Sequence, residues 1–456
     1  MALLNIISTA WAYSLITLGT KMLNSVFSFY YVKLFLQLYK ISEVAFYQAQ
    51  MVLMVWNVLN DLTGYFCITF TNECCLSRRR SVLYGTPLFA VAFLLPWFPW
   101  KHYQEGDWLS GLHLMVSLCA FDSSLTCVQQ VQCKLFAEIF TRHDSKLQLV
   151  QVNQVASLVG STSVLLCGLI SKNMEILPSF QAIAVVIAFL AAASIYSGMY
   201  HMCHFESKRS LEENFLSDSK QDVAWTSTIL LMRQVLSQRN FYLFMIISFF
   251  QAFHLTFFNS FMMIFTENLI PSHVLSSSMR SVMYGAGFIC PQGLVLVGQS
   301  WLKKWGYYKI ILISFYLEGA ASIVMLLLGQ EYYYCLAFYI TVVMVIVQAS
   351  FCLFNLPLAD LVDADLLKFN RQSPLSSMVF GLNALLTRPA QSLAPMMVLS
   401  KISQYGYGDP NKSILLDLQD AMFSLVCLVP LGIAVVQILV WSFFSIRSRT
   451  DYTGIL

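Results

Sequence analysis

The stretch "FYQAQMVLMVWNVLNDLTGYFCITFT", residues 46–71, is long and apolar enough to cross a lipid bilayer as one helix. It nevertheless carries Asn57, Asn60 and Asp61 near its middle. Charged side chains are costly at that depth, and they usually face the interior of a helix bundle, where they bind ions or solutes. The stretch therefore predicts a membrane-spanning helix with a functional polar face.

The rest of the chain has the same apolar character. Of its 456 residues 57% are hydrophobic and 11% are charged, and the mean hydropathy is +0.65. Because soluble domains average about 25% charged residues, this composition predicts an all-α integral membrane protein. The formal net charge of +3 gives no reason to expect a nucleic-acid partner. The 12 cysteines are scattered without a CxxC pair and are interpreted as packing residues, so no metal is expected.

Apolar stretches of about 18–30 residues predict twelve transmembrane helices. These spans lie near 10–38, 43–72, 82–100, 108–139, 148–171, 178–203, 240–269, 274–301, 309–329, 332–366, 374–401 and 417–446. Basic residues support the topology, because positive loops stay cytoplasmic. With both termini inside, the loops on the outer side contain few basic residues, namely Lys40, Lys101, Lys172 and Lys412. We expect a multi-pass protein of the plasma membrane or of an internal membrane, with both termini in the cytoplasm.

The longest polar stretch between two predicted spans divides the chain into two sets of six. The expected organisation is an N-terminal half, 1–205, a cytoplasmic linker, 206–239, a C-terminal half, 240–446, and a cytoplasmic tail, 447–456. The linker contains either a short interfacial helix or no regular structure. Two six-helix halves joined by a cytoplasmic loop predict the major facilitator fold, in which the halves rock around a central site.

Three stretches resemble one branch of the major facilitator superfamily, the glycoside-pentoside-hexuronide:cation symporters. "ISEVAFYQAQMVLMVWNVLNDLTGYF", residues 41–66, is similar to the second-helix signature of that branch. "QCKLFAEIFTRHDSKLQL", residues 132–149, resembles its fourth helix and the loop that follows. "FNLPLADLVDADLLKFNRQSPLSSMVFGLNALLTRP", residues 354–389, resembles the end of its tenth helix and the start of its eleventh.

The resemblance implies a cation or coupling site at Lys21, Asn57 and Asp61. Lys21 and Asn57 stand at positions that are acidic in the family, so Asp61 is the acid that remains. Lys21 and Asp61 are each predicted to lie about 15 Å deep, close enough to pair. The ammonium would then take the place of sodium, which favours sodium-independent transport, with proton coupling as a variant. The alternatives are a pair that only locks helices 1 and 2 together and the absence of any contact between the two residues.

Other polar residues within the predicted spans are candidates for a substrate cavity. They are Asp122, Gln129, Asn153, His254, Glu318 and Arg388. Gln129 and Asn153 fall near positions that the resemblance assigns to a sugar-binding acid and an arginine, so sugar recognition of the melibiose type is not expected. Arg388 is predicted at the midplane, where it binds an anionic ligand or pairs with Glu318 or Asp122. His254 is either a proton carrier or a hydrogen-bonded packing residue.

Charged residues near the predicted inner face are candidates for an inner gate. They are Glu138 and Arg142, which match the resemblance in the fourth helix and its loop, and Asp360 and Asp363 at the end of the tenth span. Their ion pairs would break and re-form as the halves rock. Plain positive-inside anchoring is the alternative for the basic member.

Asn411 begins the sequon Asn-Lys-Ser in a predicted outer loop and is a candidate glycosylation site.

The sequence contains no G-x-S-x-G, H-E-x-x-H or Walker A motif, so an enzyme is not expected. No cofactor is expected either.

The expected function is that of a secondary active transporter-like protein, a monomer in the lipid bilayer, that moves a small organic solute by alternating access. A proton is the candidate coupling ion. The alternatives are a receptor or accessory subunit that keeps the fold without transport, and a lipid or lysolipid carrier.

Overall fold

Helices make up the regular secondary structure in a computed structural model, which describes residues 2–70, 75–139, 146–210, 225–369, 375–407 and 412–445. The helices are α1 Ala2–Lys33, α2 Glu43–Phe70, α3 Cys75–Leu94, α4 Trp108–Ile139, α5 Lys146–Ser171, α6 Leu177–Ser210, α7 Trp225–Leu236, α8 Arg239–Leu269, α9 Ser277–Val297, α10 Gln299–Leu328, α11 Tyr333–Leu353, α12 Asn355–Lys368, α13 Ser376–Gln404 and α14 Lys412–Ser442. Helices are suited to a bilayer, because a helix satisfies its own backbone hydrogen bonds.

The helix order is consistent with the twelve predicted spans. Within the described residues, seven helical stretches are long and apolar enough to cross a membrane by length and composition. They correspond to α4, α5, α6, α8 and α10, the pair α11–α12, and α14. The remaining long helices, α1, α2, α3, α9 and α13, lie at the positions of the other predicted spans. The short helix considered for the linker is present as α7.

Helix α10 is interrupted at Gly306, within the sequence "LKKWGYYK" that separates the predicted eighth and ninth spans. The backbone of Gly306 has φ 75° and ψ 158°, a conformation that glycine adopts readily and other residues rarely do. A short helical segment precedes this break, and the membrane-spanning part of α10 follows it. The predicted turn is therefore made at one glycine between two helical segments.

In the N-terminal half, α1 packs against α5 and α6. Glycines permit the closest approach of α1 to α6: a Cβ atom on Gly198 would lie 2.5 Å from the carbonyl oxygen of Ala12, and one on Gly19 would lie 2.6 Å from that of Ala191. Small residues let two membrane helices approach until their backbones touch. This packing fixes the rotation of α1 and so decides which of its side chains face the centre.

The two halves share a hydrophobic core at the predicted outer end of the bundle. Phe29 of α1 lies between two aromatic rings of α9, with its centroid 5.2 Å from that of Tyr284 and 5.4 Å from that of Phe288. A second buried cluster belongs to the other end of the C-terminal half and includes Val235 of α7 and Trp441 of α14. The halves are therefore packed tightly at the outer end, and α7 joins the C-terminal half at the other.

Candidate functional site

A cluster of three charged side chains joins the two halves. Arg388 of α13 lies with its Nε atom 3.0 Å from Oδ2 of Asp61 on α2 and its Nη1 atom 2.9 Å from Oδ1 of Asp122 on α4. The side chains of Arg388, Asp61 and Asp122 are 15%, 12% and 17% exposed. We call these three residues the central ion cluster. It combines two carboxylates from the N-terminal half with one guanidinium from the C-terminal half.

Uncharged neighbours complete the central ion cluster. Asn60 donates from Nδ2 to Asp122 Oδ2 at 2.9 Å, and Arg388 Nη2 donates to Thr126 Oγ1 at 3.3 Å. With its amide nitrogen facing the carboxylate, Asn57 also donates to Asp122 Oδ2 at 3.0 Å. Asp122 is therefore bound by three donors, which hold it in one position. Hydrogen bonding to Asp122 accounts for the presence of Asn57 and Asn60 in this apolar helix.

Asp61 is less completely bound than Asp122. Its Oδ2 atom is an ion-pair partner of Arg388 by distance but accepts no hydrogen bond from the described residues, because the contact lacks hydrogen-bond geometry. Asp61 also lines a small cavity of about 30 Å³ together with Met232 of α7 and Met378 of α13. A space of that size holds about one water molecule. Among the described residues, Asp61 is therefore held by fewer hydrogen bonds than Asp122.

The structure corrects the expected pair of Lys21 and Asp61. Arg388, and not Lys21, lies beside Asp61, and no carboxylate of the described residues lies within 4 Å of Lys21. The reason is the packing of α1, which lies against α5 and α6 and not against α2. The Lys21 stem accordingly runs along α5 at Gly160, where a Cβ atom would lie 3.0 Å from Lys21 Cβ.

His254 and Glu318 meet inside the C-terminal half. The Nδ1 atom of His254 on α8 lies 3.6 Å from Oε2 of Glu318 on α10, and both side chains are 0% exposed. Neither ring nitrogen and neither carboxylate oxygen has a hydrogen-bond partner among the described residues. Arg388 is paired with Asp61 and Asp122, so its alternative pairing with Glu318 is not formed. The candidates for the substrate cavity therefore do not form one cluster. Arg388 and Asp122 belong to the central ion cluster, and His254 and Glu318 pair inside the C-terminal half.

Gln129 and Asn153, the other two candidates for the cavity, form no hydrogen bond with the central ion cluster among the described residues. Gln129 is exposed on α4. Asn153 is half-buried on α5, and its Oδ1 atom has no hydrogen-bond partner among the residues that the structure describes. Their contact with a solute stays a prediction.

The inner-gate residues are only partly described. Asp360 accepts a hydrogen bond of 2.6 Å from the Tyr307 hydroxyl of α10, a contact within the C-terminal half. Asp363 is on the same helix, α12. Arg142, Asn411 and the side chain of Glu138 lie outside the described residues. An inner gate and glycosylation at Asn411 therefore stay predictions.

A polar network at the outer end was not among the predictions from the sequence. Lys33 at the end of α1 forms an ion pair with Glu267 of α8 and donates to the carbonyl oxygen of Asn173 at 2.7 Å. Asn173 in turn donates to the carbonyl oxygen of Ser277 at 2.9 Å and accepts from the Ser281 hydroxyl at 2.9 Å. We call these five residues the outer seal. Lys33 and Asn173 belong to the N-terminal half, and the other three residues belong to the C-terminal half. The contacts between the two groups therefore join the halves.

A signal for the outer seal exists in the sequence. Lys33 and Glu267 have opposite charges, and each lies in the last turns of the first helix of its half. The two halves of this fold are pseudo-symmetric, so their first helices occupy equivalent positions. Opposite charges at the same depth on these two helices, Lys33 on α1 and Glu267 on α8, are therefore candidates for an ion pair.

We expect Lys33→Met to open the outer end. The substitution leaves the half-buried Glu267 carboxylate without its cation, which disfavours the closed arrangement. We expect a cost of about 1.4 kcal/mol, which corresponds to a tenfold larger open fraction. The measurement is labelling of a Ser260→Cys variant with a membrane-impermeant maleimide, because Ser260 is buried on α8 below Glu267. Lys172→Met, at an exposed lysine beside the seal, is the matched control. Equal labelling of both variants would contradict a role for the seal.

Comparison with known proteins agrees with this architecture. Transmembrane protein 180 of Gallus gallus is 29% identical over 484 residues, covering 97% of this chain and 93% of the relative. Transmembrane protein 180 of Mus musculus is 26% identical over 490 residues, covering 96% of this chain and 93% of the relative.

Solved structures show the same fold at low sequence identity. A mutant of the nucleoside transporter NupG superposes with a TM-score of 0.63 at 13% identity, covering 96% of this chain and 99% of that one. A bacterial homolog of the human lysosomal transporter Spinster, in an inward-facing and unoccupied conformation, gives a TM-score of 0.58 at 12% identity, covering 98% and 97%. The model of the MFS/sugar transport protein family matches residues 12–448, and this multi-pass membrane protein therefore belongs to that family.

Proposed function

We propose that the protein is a secondary transporter that moves a small organic solute by alternating access and does not require sodium. The observation that supports this most is the central ion cluster, in which Arg388 of one half binds Asp61 and Asp122 of the other. Ionisable residues inside a membrane protein usually mark a solute or ion pathway. In this fold that pathway lies between the halves, where the cluster is located.

The two cross-half networks support a transport cycle. The outer seal and the aromatic contacts of Phe29 hold the outer end closed. The central ion cluster is made of contacts that change when one half rocks against the other, since its members belong to different halves. Asp61, which accepts no hydrogen bond at Oδ2 from the described residues, is the proposed point of exchange.

The cluster also supports the proposed independence from sodium. A sodium ion would need the carboxylate oxygens of Asp61 and Asp122, and the Arg388 guanidinium already binds one oxygen of each. A proton is the proposed coupling ion, because a carboxylate that releases the guanidinium can take up a proton in its place. The proposal includes a monomer with both termini in the cytoplasm.

The test is solute uptake by proteoliposomes. Purified protein is reconstituted, incubated with a polar metabolite extract, and the contents are compared by mass spectrometry with those of protein-free liposomes. We expect at least one solute to accumulate, to the same extent in sodium and in N-methylglucamine buffer. Uptake only in sodium would overturn the coupling part. A folded protein that accumulates nothing would favour the rival, a receptor or accessory subunit.

A further inference from the structure

We infer that Lys21 is an anion-binding residue at the interface between the halves, and that the solute is therefore an organic anion with a carboxylate or phosphate group. This inference rests on the proposed function and names the chemical class of its solute. It replaces the role in which Lys21 neutralises Asp61, because Arg388 does that.

Lys21 is held in place by the packing of α1 on α5. A Cβ atom at Gly160 would lie 3.0 Å from Lys21 Cβ, 3.3 Å from Lys21 Cγ and 3.1 Å from the carbonyl oxygen of Leu18. The absence of a side chain at Gly160 therefore leaves the groove along which the lysine stem runs. A long flexible side chain is directed along α5 by this groove.

Lys21 lies on the side of α1 that faces α5, at Gly160, and α5 packs against α9 of the C-terminal half. Gln292 of α9 accepts a hydrogen bond of 2.6 Å at Oε1 from the Gln154 amide of α5, so these groups come from both halves. Lys21 is thus placed at the seam where a solute is bound and released in this fold.

The ammonium of Lys21 has no counter-ion in the described part of the chain. Within the described residues it forms no ion pair within 4 Å and no hydrogen bond. The two acids of the central ion cluster, Asp61 and Asp122, are bound by Arg388. A cation at this depth is costly without a partner. A carboxylate or phosphate of the solute supplies that partner.

A binding experiment tests the site without requiring transport. A cell extract is separated into an anionic metabolite fraction, a neutral metabolite fraction and a lipid fraction, and each is added to the purified protein. We expect the anionic fraction to raise the melting temperature by several degrees, because a ligand of the folded state stabilises it. The neutral fraction should have no effect. A shift given by the lipid fraction instead would place the anionic group on a lipid headgroup.

Matched variants attribute the shift to Lys21. We expect Lys21→Arg to keep most of it, because the positive charge remains, and Lys21→Gln to lose it. Lys172→Gln, an exposed outer lysine, is the control and should respond like the unmodified protein. Stabilisation of the unmodified protein by the neutral fraction alone overturns the inference even if Lys21→Gln does not fold. An equal response of Lys21→Gln and the unmodified protein overturns it as well.

The two proposals fail in different ways. If proteoliposomes accumulate neutral solutes and Lys21→Gln accumulates them equally, transport stands and the anion site is wrong. If the anionic fraction stabilises the protein through Lys21 and no solute accumulates, the anion site stands and transport is wrong.

Discussion

Replacing Arg388 with methionine is expected to destabilise the folded protein by about 3–5 kcal/mol and to abolish solute uptake. Arg388 is the one cation that contacts Asp61 and Asp122 within the described residues. Its removal leaves two carboxylates near each other and largely out of water, with only uncharged donors around them. Part of the loss is relieved when the carboxylates take up protons, so the lower end of the range is expected at acidic pH.

Two further variants separate stability from transport. Arg388→Lys keeps the charge but has no planar fork, so its ammonium cannot bind Asp61 and Asp122 in the geometry of the guanidinium. We expect it to recover part of the stability and little uptake. The triple variant Arg388→Met with Asp61→Asn and Asp122→Asn has no buried charge at the site, and we expect it to recover most of the stability while uptake remains absent.

The measurements are reversible unfolding in mixed detergent micelles and uptake by proteoliposomes. Arg239→Met is the control, since Arg239 is exposed at the start of α8. It should change the free energy of unfolding by no more than about 0.5 kcal/mol. If Arg388→Met is as stable as this control, the central ion cluster does not form. If the triple variant transports at the normal rate, the cluster is structural only.

Much of the fold was predictable from the sequence. The positions of the spans follow from apolar runs, because a bilayer admits only segments that satisfy their own backbone hydrogen bonds. Asp61, Asp122 and Arg388 were also predictable as functional candidates, since each is an ionisable residue inside an apolar run. The pairing of Arg388 with Asp122 was one of the open alternatives, and the structure selects it.

Which charged side chains pair with each other was not predictable from the sequence. Pairing depends on the rotation of each helix about its axis, which packing decides and which apolar runs leave open. Glycines at 19 and 198 bring α1 onto α6, and this turns Lys21 toward α5 and away from Asp61. The outer seal was missed for a related reason: Lys33 and Glu267 are 234 positions apart, and only the fold brings them together.

Replacing both His254 and Glu318 with apolar residues of similar volume, as in the double variant His254→Leu with Glu318→Met, is expected to stabilise the protein by about 1–4 kcal/mol. The two side chains are fully buried, and at 3.6 Å their polar atoms are too far apart for a hydrogen bond. Their four side-chain nitrogen and oxygen atoms have no hydrogen-bond partner among the described residues. Each side chain therefore pays for its removal from water without compensation.

A neighbouring residue provides a matched control. Gln251 lies one turn before His254 on α8 and is also buried, but it donates to the carbonyl oxygen of Val347 at 2.9 Å and accepts from Gln437 at 2.7 Å. Gln251→Leu leaves the buried Gln437 amide without this acceptor and removes the bond to Val347, so we expect it to destabilise the protein by about 1–2 kcal/mol. Opposite signs for the two variants would show that the missing hydrogen bonds, and not polarity as such, make the pair unfavourable.

The effect on uptake decides why the chain keeps this pair. Buried groups that reduce stability are commonly retained at functional sites, where activity depends on them. We therefore expect the more stable double variant to lose solute uptake, with Glu318→Gln as a variant that keeps the shape and removes the negative charge. A double variant that is more stable and transports normally would show that the pair is dispensable. A double variant less stable than the unmodified protein would mean that the pair is compensated by groups outside the described residues.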